Sequence, residues 1–100
     1  MSGAVRVLVY YAAAAGDEGS VIDAYRRVSL GMRGTGGLLS SQLLQSAREP
    51  SEFAVLSEWT SLSQFTAWEQ GTWHKGQTSA LRSYHDSGKG YGIYEVVDQF

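Results

Sequence analysis

A chain of 100 residues, 43% hydrophobic and 18% charged, has the length of one small domain and the apolar content of a globular one. Its formal net charge of −2, with lysines and arginines scattered apart from Arg26-Arg27, supplies no basic field and excludes a nucleic-acid partner; the lack of cysteine excludes thiolate catalysis, disulfides and cysteine-ligated metal. No apolar run approaches the ~20 residues of a membrane span, and Met1-Ser2-Gly3-Ala4 carries no charged leader, so the expected location is the cytoplasm.

Val5-Arg6-Val7-Leu8-Val9-Tyr10-Tyr11 reads as a first strand, β-branched, aromatic and nearly continuous in its apolar character, as in strands covered on both faces. Ala12 to Gly19 is a connection. Ser20 is placed to cap a helix, with Asp23 three residues on, and Val21, Tyr25, Val28 and Met32 recur at helical spacing until Gly34, Gly36 and Gly37 end it. Leu38 to Ser46 is a second strand, with Leu39, Ser41, Leu43 and Gln45 on one side and Leu38, Ser40, Gln42 and Leu44 on the other. Ala47 to Glu52, with the sole proline Pro50, turns the chain back into a third strand, Phe53 to Trp59.

Ser61, with Gln64 three residues on, caps a second helix whose inner face is Leu62, Phe65 and Trp68 or Glu69, and Gly71 breaks it. A further helical piece is expected from about Thr72, with Trp73, Gln77, Ala80 and Tyr84 on one stripe and His74, Thr78 and Leu81 beside it. Asp86 to Gly90 is a loop and Tyr91 to Val97 the last strand. The order strand, helix, strand, strand, helix, strand is that of a single α+β domain of ferredoxin-like split βαβ plan, a four-stranded antiparallel sheet with helices on one face. The other face must also find cover, because Leu8 and Tyr10 leave the first strand without a polar side; a second copy packed sheet to sheet, an isologous homodimer, is the expected solution. Beneath the helices the aromatics imply an apolar pocket for a small aromatic molecule.

The strand Phe53-Ala54-Val55-Leu56-Ser57-Glu58-Trp59, followed by Ser61, Phe65, Trp68 and His74, resembles the antibiotic-biosynthesis monooxygenase family of small dimeric α/β-barrel proteins, over roughly Val5 to Val97. The resemblance implies a pocket between sheet and helices. In many members it also implies oxygenation of aromatic polyketides to quinones with neither metal nor flavin, so no cofactor is expected. The quinone-forming branch carries Asn-x-x-x-Trp at a strand end; Trp59 matches the Trp, Val55 stands at the Asn, and the branch's helix Tyr falls on Phe65. A heme-degrading branch has a helix Trp that matches Trp68, an iron-binding His that falls on Thr78 and a strand-one Asn around Tyr10 or Tyr11.

His74 is the candidate base, since imidazole takes a proton near neutral pH and a phenol must lose one before its anion reacts with oxygen. Tyr10, Tyr11, Trp59, Phe65, Trp68, Thr78 and Arg82 are the candidate substrate contacts: aromatic walls, phenol donors at a strand end, a neutral hydroxyl and an oxyanion-stabilising guanidinium. Packing accounts for at least one of Tyr10 and Tyr11, because neighbours on a strand point to opposite faces. His85, beside Asp86, reads as a solvent-exposed loop residue. Gly34-Thr35-Gly36-Gly37 follows a helix instead of opening one and lacks the Lys-Ser/Thr of a phosphate loop, and two histidines among scattered carboxylates are not a metal-ligand spacing. The expected activity is a cofactor-independent monooxygenase tailoring an aromatic polyketide or related phenol; a cyclase or isomerase, a non-catalytic binding module and a heme protein are the rivals.

Overall fold

The computed structural model describes residues 3–71 and 74–100, and of His74 and Lys75 the backbone. Among these residues the chain runs β1 (Val5–Ala12), α1 (Glu18–Met32), β2 (Leu38–Gln45), β3 (Glu52–Trp59), α2 (Leu62–Gln70), α3 (His74–Gln77), α4 (Ser79–Arg82) and β4 (Tyr91–Glu95). The strands form one antiparallel sheet in the order β2-β3-β1-β4, the ferredoxin-like α+β arrangement that the order of elements predicts.

Strand alternation decides which residues meet the helices. Val5, Val7, Val9 and Tyr11 pair with Trp59, Ser57, Val55 and Phe53, and this set faces the helices. Val5, Val7, Tyr11, Phe53 and Trp59 are all buried. Arg6, Leu8 and Tyr10 pair with Glu58, Leu56 and Ala54 on the uncovered face, where in the single chain they are half-buried. β1 is therefore covered by helices on one face only, although its apolar run reads as a strand covered on both.

Helix α1 lays Val21, Ala24 and Val28 on the sheet at helical spacing. It begins earlier than the Ser20 cap predicts, at Glu18 with Asp17 in the capping position, and Ser20 Oγ reaches back to Asp17 Oδ1 at 2.5 Å. The helix stops in a tight turn: the Thr35 N–H donates to the Met32 carbonyl, with Arg33 at φ −60°, ψ 134° and Gly34 at φ +81°. Gly34 fills the position of a type II turn that requires positive φ. Gly37, also at positive φ, has Gln64 packed against it so closely that a β-carbon would sit 2.5 Å from Gln64 Cβ.

Ser61 caps α2 as expected, its Oγ accepting the Gln64 N–H at 3.2 Å. The β2 register shifts between Leu38 and Ser40, so Leu38 lies opposite Trp59 while Ser41 and Leu43 lie opposite Ser57 and Val55. This bulge at Leu39 moves Leu38 onto the helix-facing side, the reverse of strict alternation. The stretch read as one helix to Tyr84 is two short segments parted at Thr78, and β4 ends at Glu95, leaving Val97 exposed.

Two core clusters result. One joins Tyr11, Val21, Ala24, Val28, Phe53 and Leu81; the other joins Val5, Val7, Trp59 and Phe65. Val9 and Met32 pack against both. Each fully buried Val, Leu or Phe contributes about 1.5–3 kcal/mol of transfer free energy, so the fold is held at both ends while its middle is left open.

A candidate active site between two core clusters

Between the clusters lies a cavity of about 820 Å³, within the range of small-molecule sites. The sheet supplies its floor through Val7, Val9 and Val55, and α1 and α4 supply Val28, Met32 and Leu81 above. Trp59, Phe65 and Trp68 wall one end. Their ring centroids lie 5.3 Å apart for Trp59–Phe65, 5.2 Å for Trp59–Trp68 and 6.0 Å for Phe65–Trp68. Trp59 is buried and meets Phe65 edge-on at 72°, a favourable aromatic geometry. Its indole N–H donates to Ser57 Oγ at 3.0 Å, so Ser57 serves the wall.

Polar groups take the smaller share of the lining surface, and several are tied to one another. Tyr25 on α1 and Ser41 on β2 share a hydroxyl–hydroxyl hydrogen bond of 2.9 Å, which closes the side between helix and sheet. The Tyr91 hydroxyl donates to Glu69 Oε2 at 3.1 Å, linking β4 to the last turn of α2. That bond holds the Tyr91 phenol above its ordinary pKa. Tyr11 rises from the floor, and burial pushes its phenol upward too, so it stays protonated as a donor.

The structure brings Tyr11, Trp59, Phe65, Trp68, Thr78 and Arg82 together around this one space. Tyr10 does not join them. Its ring is on the opposite face of the sheet, beneath the Lys89 ammonium, 5.8 Å from the ring centroid. The cause is the alternation that turns Val9 and Tyr11 toward the helices. The side chain of His74 and all of Trp73 lie outside the described residues.

His85 is the residue that the local sequence hides. It is exposed, as its loop context implies, yet it also lines the cavity. The Ala12 N–H donates to the Tyr84 carbonyl at 2.8 Å and the Asp86 N–H to the Tyr10 carbonyl at 2.9 Å. These bonds set His85 opposite Tyr11 in a short antiparallel bridge. The imidazole meets the Tyr11 ring edge-on at 73°, with centroids 5.9 Å apart. Tyr25, on the apolar stripe of α1, and Glu69 on α2 also line it, as do Arg33 and Tyr91, which no motif announces. Hydrogen bonds between elements distant in sequence tie Tyr25 to Ser41 and Tyr91 to Glu69. Among the described residues no group of three His, Cys, Asp or Glu is placed to hold a metal ion, and no helix is long and apolar enough to cross a membrane.

Comparison with known proteins places this architecture. Residues 4–76 match the model of a family described as antibiotic biosynthesis monooxygenase. Protein SchA of Streptomyces halstedii is 34% identical over 80 residues, which is 80% of this chain and 21% of that protein, so the chain spans about a fifth of the curated relative. A mutant of SnoaB, a cofactor-independent oxygenase from Streptomyces nogalater, superposes with a TM-score of 0.80 at 13% identity, covering 98% of this chain and 97% of that one. A conserved protein from Methanosarcina mazei superposes at 0.76 with 15% identity, covering 92% and 91%. At such identities the structural likeness is one of fold.

Proposed function

The chain belongs to the antibiotic biosynthesis monooxygenase family, and from that premise we propose that it is a cofactor-independent oxygenase that tailors an aromatic polyketide or a related phenol. The observation that carries this reading is the cavity itself: about 820 Å³ between sheet and helices, walled by Trp59, Phe65 and Trp68, with a lining surface that is mostly apolar.

A planar polycyclic substrate fits such a wall by stacking and edge contacts. Its activated ring methylene is oxidised by dioxygen to a carbonyl: one oxygen atom becomes the carbonyl, the other leaves as water with the two methylene hydrogens, and the four electrons come from that carbon. The substrate thus supplies the whole reduction of oxygen once a proton is removed and the carbanion or phenolate can donate an electron. The protein's part is to hold the substrate, keep water from the ring and stabilise the anion. In this reading Tyr11 and Thr78 donate to a substrate carbonyl or phenol oxygen and Arg82 faces the developing negative charge. Homodimer formation belongs to the same proposal. The uncovered face of the sheet is apolar along its middle, with Leu8 opposite Leu56 and Tyr10 opposite Ala54, and a second copy would cover it.

The test is turnover of a hydroxyanthrone probe. Above the uncatalysed rate, the protein should consume one dioxygen per quinone formed and place one labelled oxygen in the new carbonyl. A product formed at the same rate without oxygen would replace this reading with a cyclase or isomerase on the same cavity. Binding without turnover would leave a binding module.

A further inference from the structure

We propose that His85 is the base that takes the substrate's proton, held for that task by its backbone pairing with β1; the proposal rests on the reading of the cavity as a site for phenols. Among the described residues the ionisable groups lining the cavity are Tyr11 on β1, Tyr25 and Arg33 on α1, Glu69 on α2, Arg82 on α4 and Tyr91 on β4, besides His85 itself. A guanidinium carries donors and no acceptor, so the arginines do not serve as bases. Tyr11 is buried and remains a donor, and Tyr25 is bonded to Ser41. Glu69 already accepts the Tyr91 hydroxyl. That leaves an imidazole, the side chain suited to accept a proton near neutrality and release it again.

The placement is built. Hydrogen bonds at Tyr84 and Asp86 grip the chain on either side of His85, and the resulting bridge directs its ring to the side of the sheet where Tyr11 lies. His85 lines the cavity while the residue as a whole stays exposed. A proton taken from a phenol inside therefore has a route to water. In the step, the phenol O–H bond breaks, an N–H bond forms on His85, and the electron pair stays on the phenolate oxygen beside the Tyr11 hydroxyl and the Arg82 guanidinium. Reaction with dioxygen then follows on the substrate alone.

A hydroxyanthraquinone dye whose colour reports ionisation separates this step from oxidation, because its carbonyl is already formed. At a pH one unit below the dye's free pKa, about a tenth of the free dye is ionised. Bound to the wild-type protein, the ionised fraction should rise severalfold. In His85→Gln it should fall well below the wild-type fraction, with affinity changed by less than about threefold. With the hydroxyanthrone, His85→Gln should lose about a hundredfold in kcat and lose the acidic limb of the pH profile. An unchanged ionised fraction or unchanged kcat in His85→Gln overturns the proposal even if oxygen is consumed. Ionisation that depends on His85 with no oxygen uptake would keep the base and overturn the oxygenase reading.

Discussion

Trp68 donates its indole N–H to Gln77 Oε1 at 2.8 Å, and the Gln77 amide donates onward to the Gly31 carbonyl at 3.2 Å. One side chain thus ties α2 to α3 and both to the end of α1, over the aromatic end of the cavity. Helices of four residues cannot hold themselves in water, so such cross-links decide where the chain between α2 and β4 sits. Gln77→Ala should cost about 1–2 kcal/mol in urea unfolding for the two bonds and weaken dye binding by relaxing Trp68. Gln77→Glu keeps an acceptor for the indole but loses the donor to Gly31, and should fall between wild type and Gln77→Ala on both measurements.

Trp59 anchors the wall that Trp68 completes. It is 1% exposed, packs edge-on against Phe65 and sits opposite both Val5 and Leu38 in the sheet. Trp59→Ala should cost about 3–5 kcal/mol, enough to unfold much of a domain of ordinary stability. Ser57→Ala is the finer probe. It leaves the Trp59 N–H without its acceptor, and should cost about 1–3 kcal/mol while leaving the cavity volume nearly unchanged. Chemical denaturation followed by tryptophan fluorescence measures both.

The fold was largely legible because its signals are local: apolar, β-branched strand runs, a serine cap at Ser61, glycines at Gly34 and Gly37. The site was legible where helix and strand periodicity points a residue at the sheet, as for Phe65, Trp68 and Trp59. It was not legible where placement depends on pairing across the chain. His85 faces the cavity only because Tyr84 and Asp86 bond to β1, some seventy residues earlier, and a His-Asp pair in a loop carries no trace of that. The Leu39 bulge is equally silent in sequence, yet it decides that Leu38 joins the wall. Val55 and Phe65 do face the cavity. The positions where the quinone-forming branch carries Asn and Tyr are therefore apolar parts of this lining.

Alkali should destabilise the fold in a defined window. Tyr11 is raised above its ordinary 10.0 by burial, and Tyr91 above 10.0 chiefly by its hydrogen bond to Glu69. Lys89 is raised above 10.5 chiefly by its hydrogen bond to Glu52. In each case the unfolded chain gives up its proton first, so between the unfolded and folded values the native state binds more protons and stability falls as pH rises. The stabilisation is complete below about pH 10 and is lost above it as each folded group titrates. Urea midpoints should therefore change little on account of these groups between about pH 7 and pH 9 and decline beyond about pH 10. Tyr11→Phe should lessen the decline, since it removes the buried phenol without removing the ring.

The uncovered face of the sheet makes the last prediction. Leu8 and Leu56 are directly opposed in register, with Tyr10 and Ala54 the next pair along. Leu44 on β2 lies beside Ala54, and Tyr94 on β4 folds back over Gly92, where a β-carbon would come within 2.6 Å of the phenol ring. Ion pairs bracket this patch, Arg6–Glu58 at 3.2 Å toward one end and Lys89–Glu52 at 3.0 Å toward the other. Such partly exposed pairs add little to the stability of one chain, about 0–1 kcal/mol each. Their place at the ends of an apolar strip suits a polar rim around a buried interface centre. Leu56→Glu puts a charge at the centre of the strip without touching the helix-facing side of β3. Sedimentation should show wild type as a dimer and Leu56→Glu as a monomer, with the far-ultraviolet circular dichroism of the two superposable. A wild-type chain that sediments as a monomer at every concentration would remove the homodimer and leave this strip without a role in self-association.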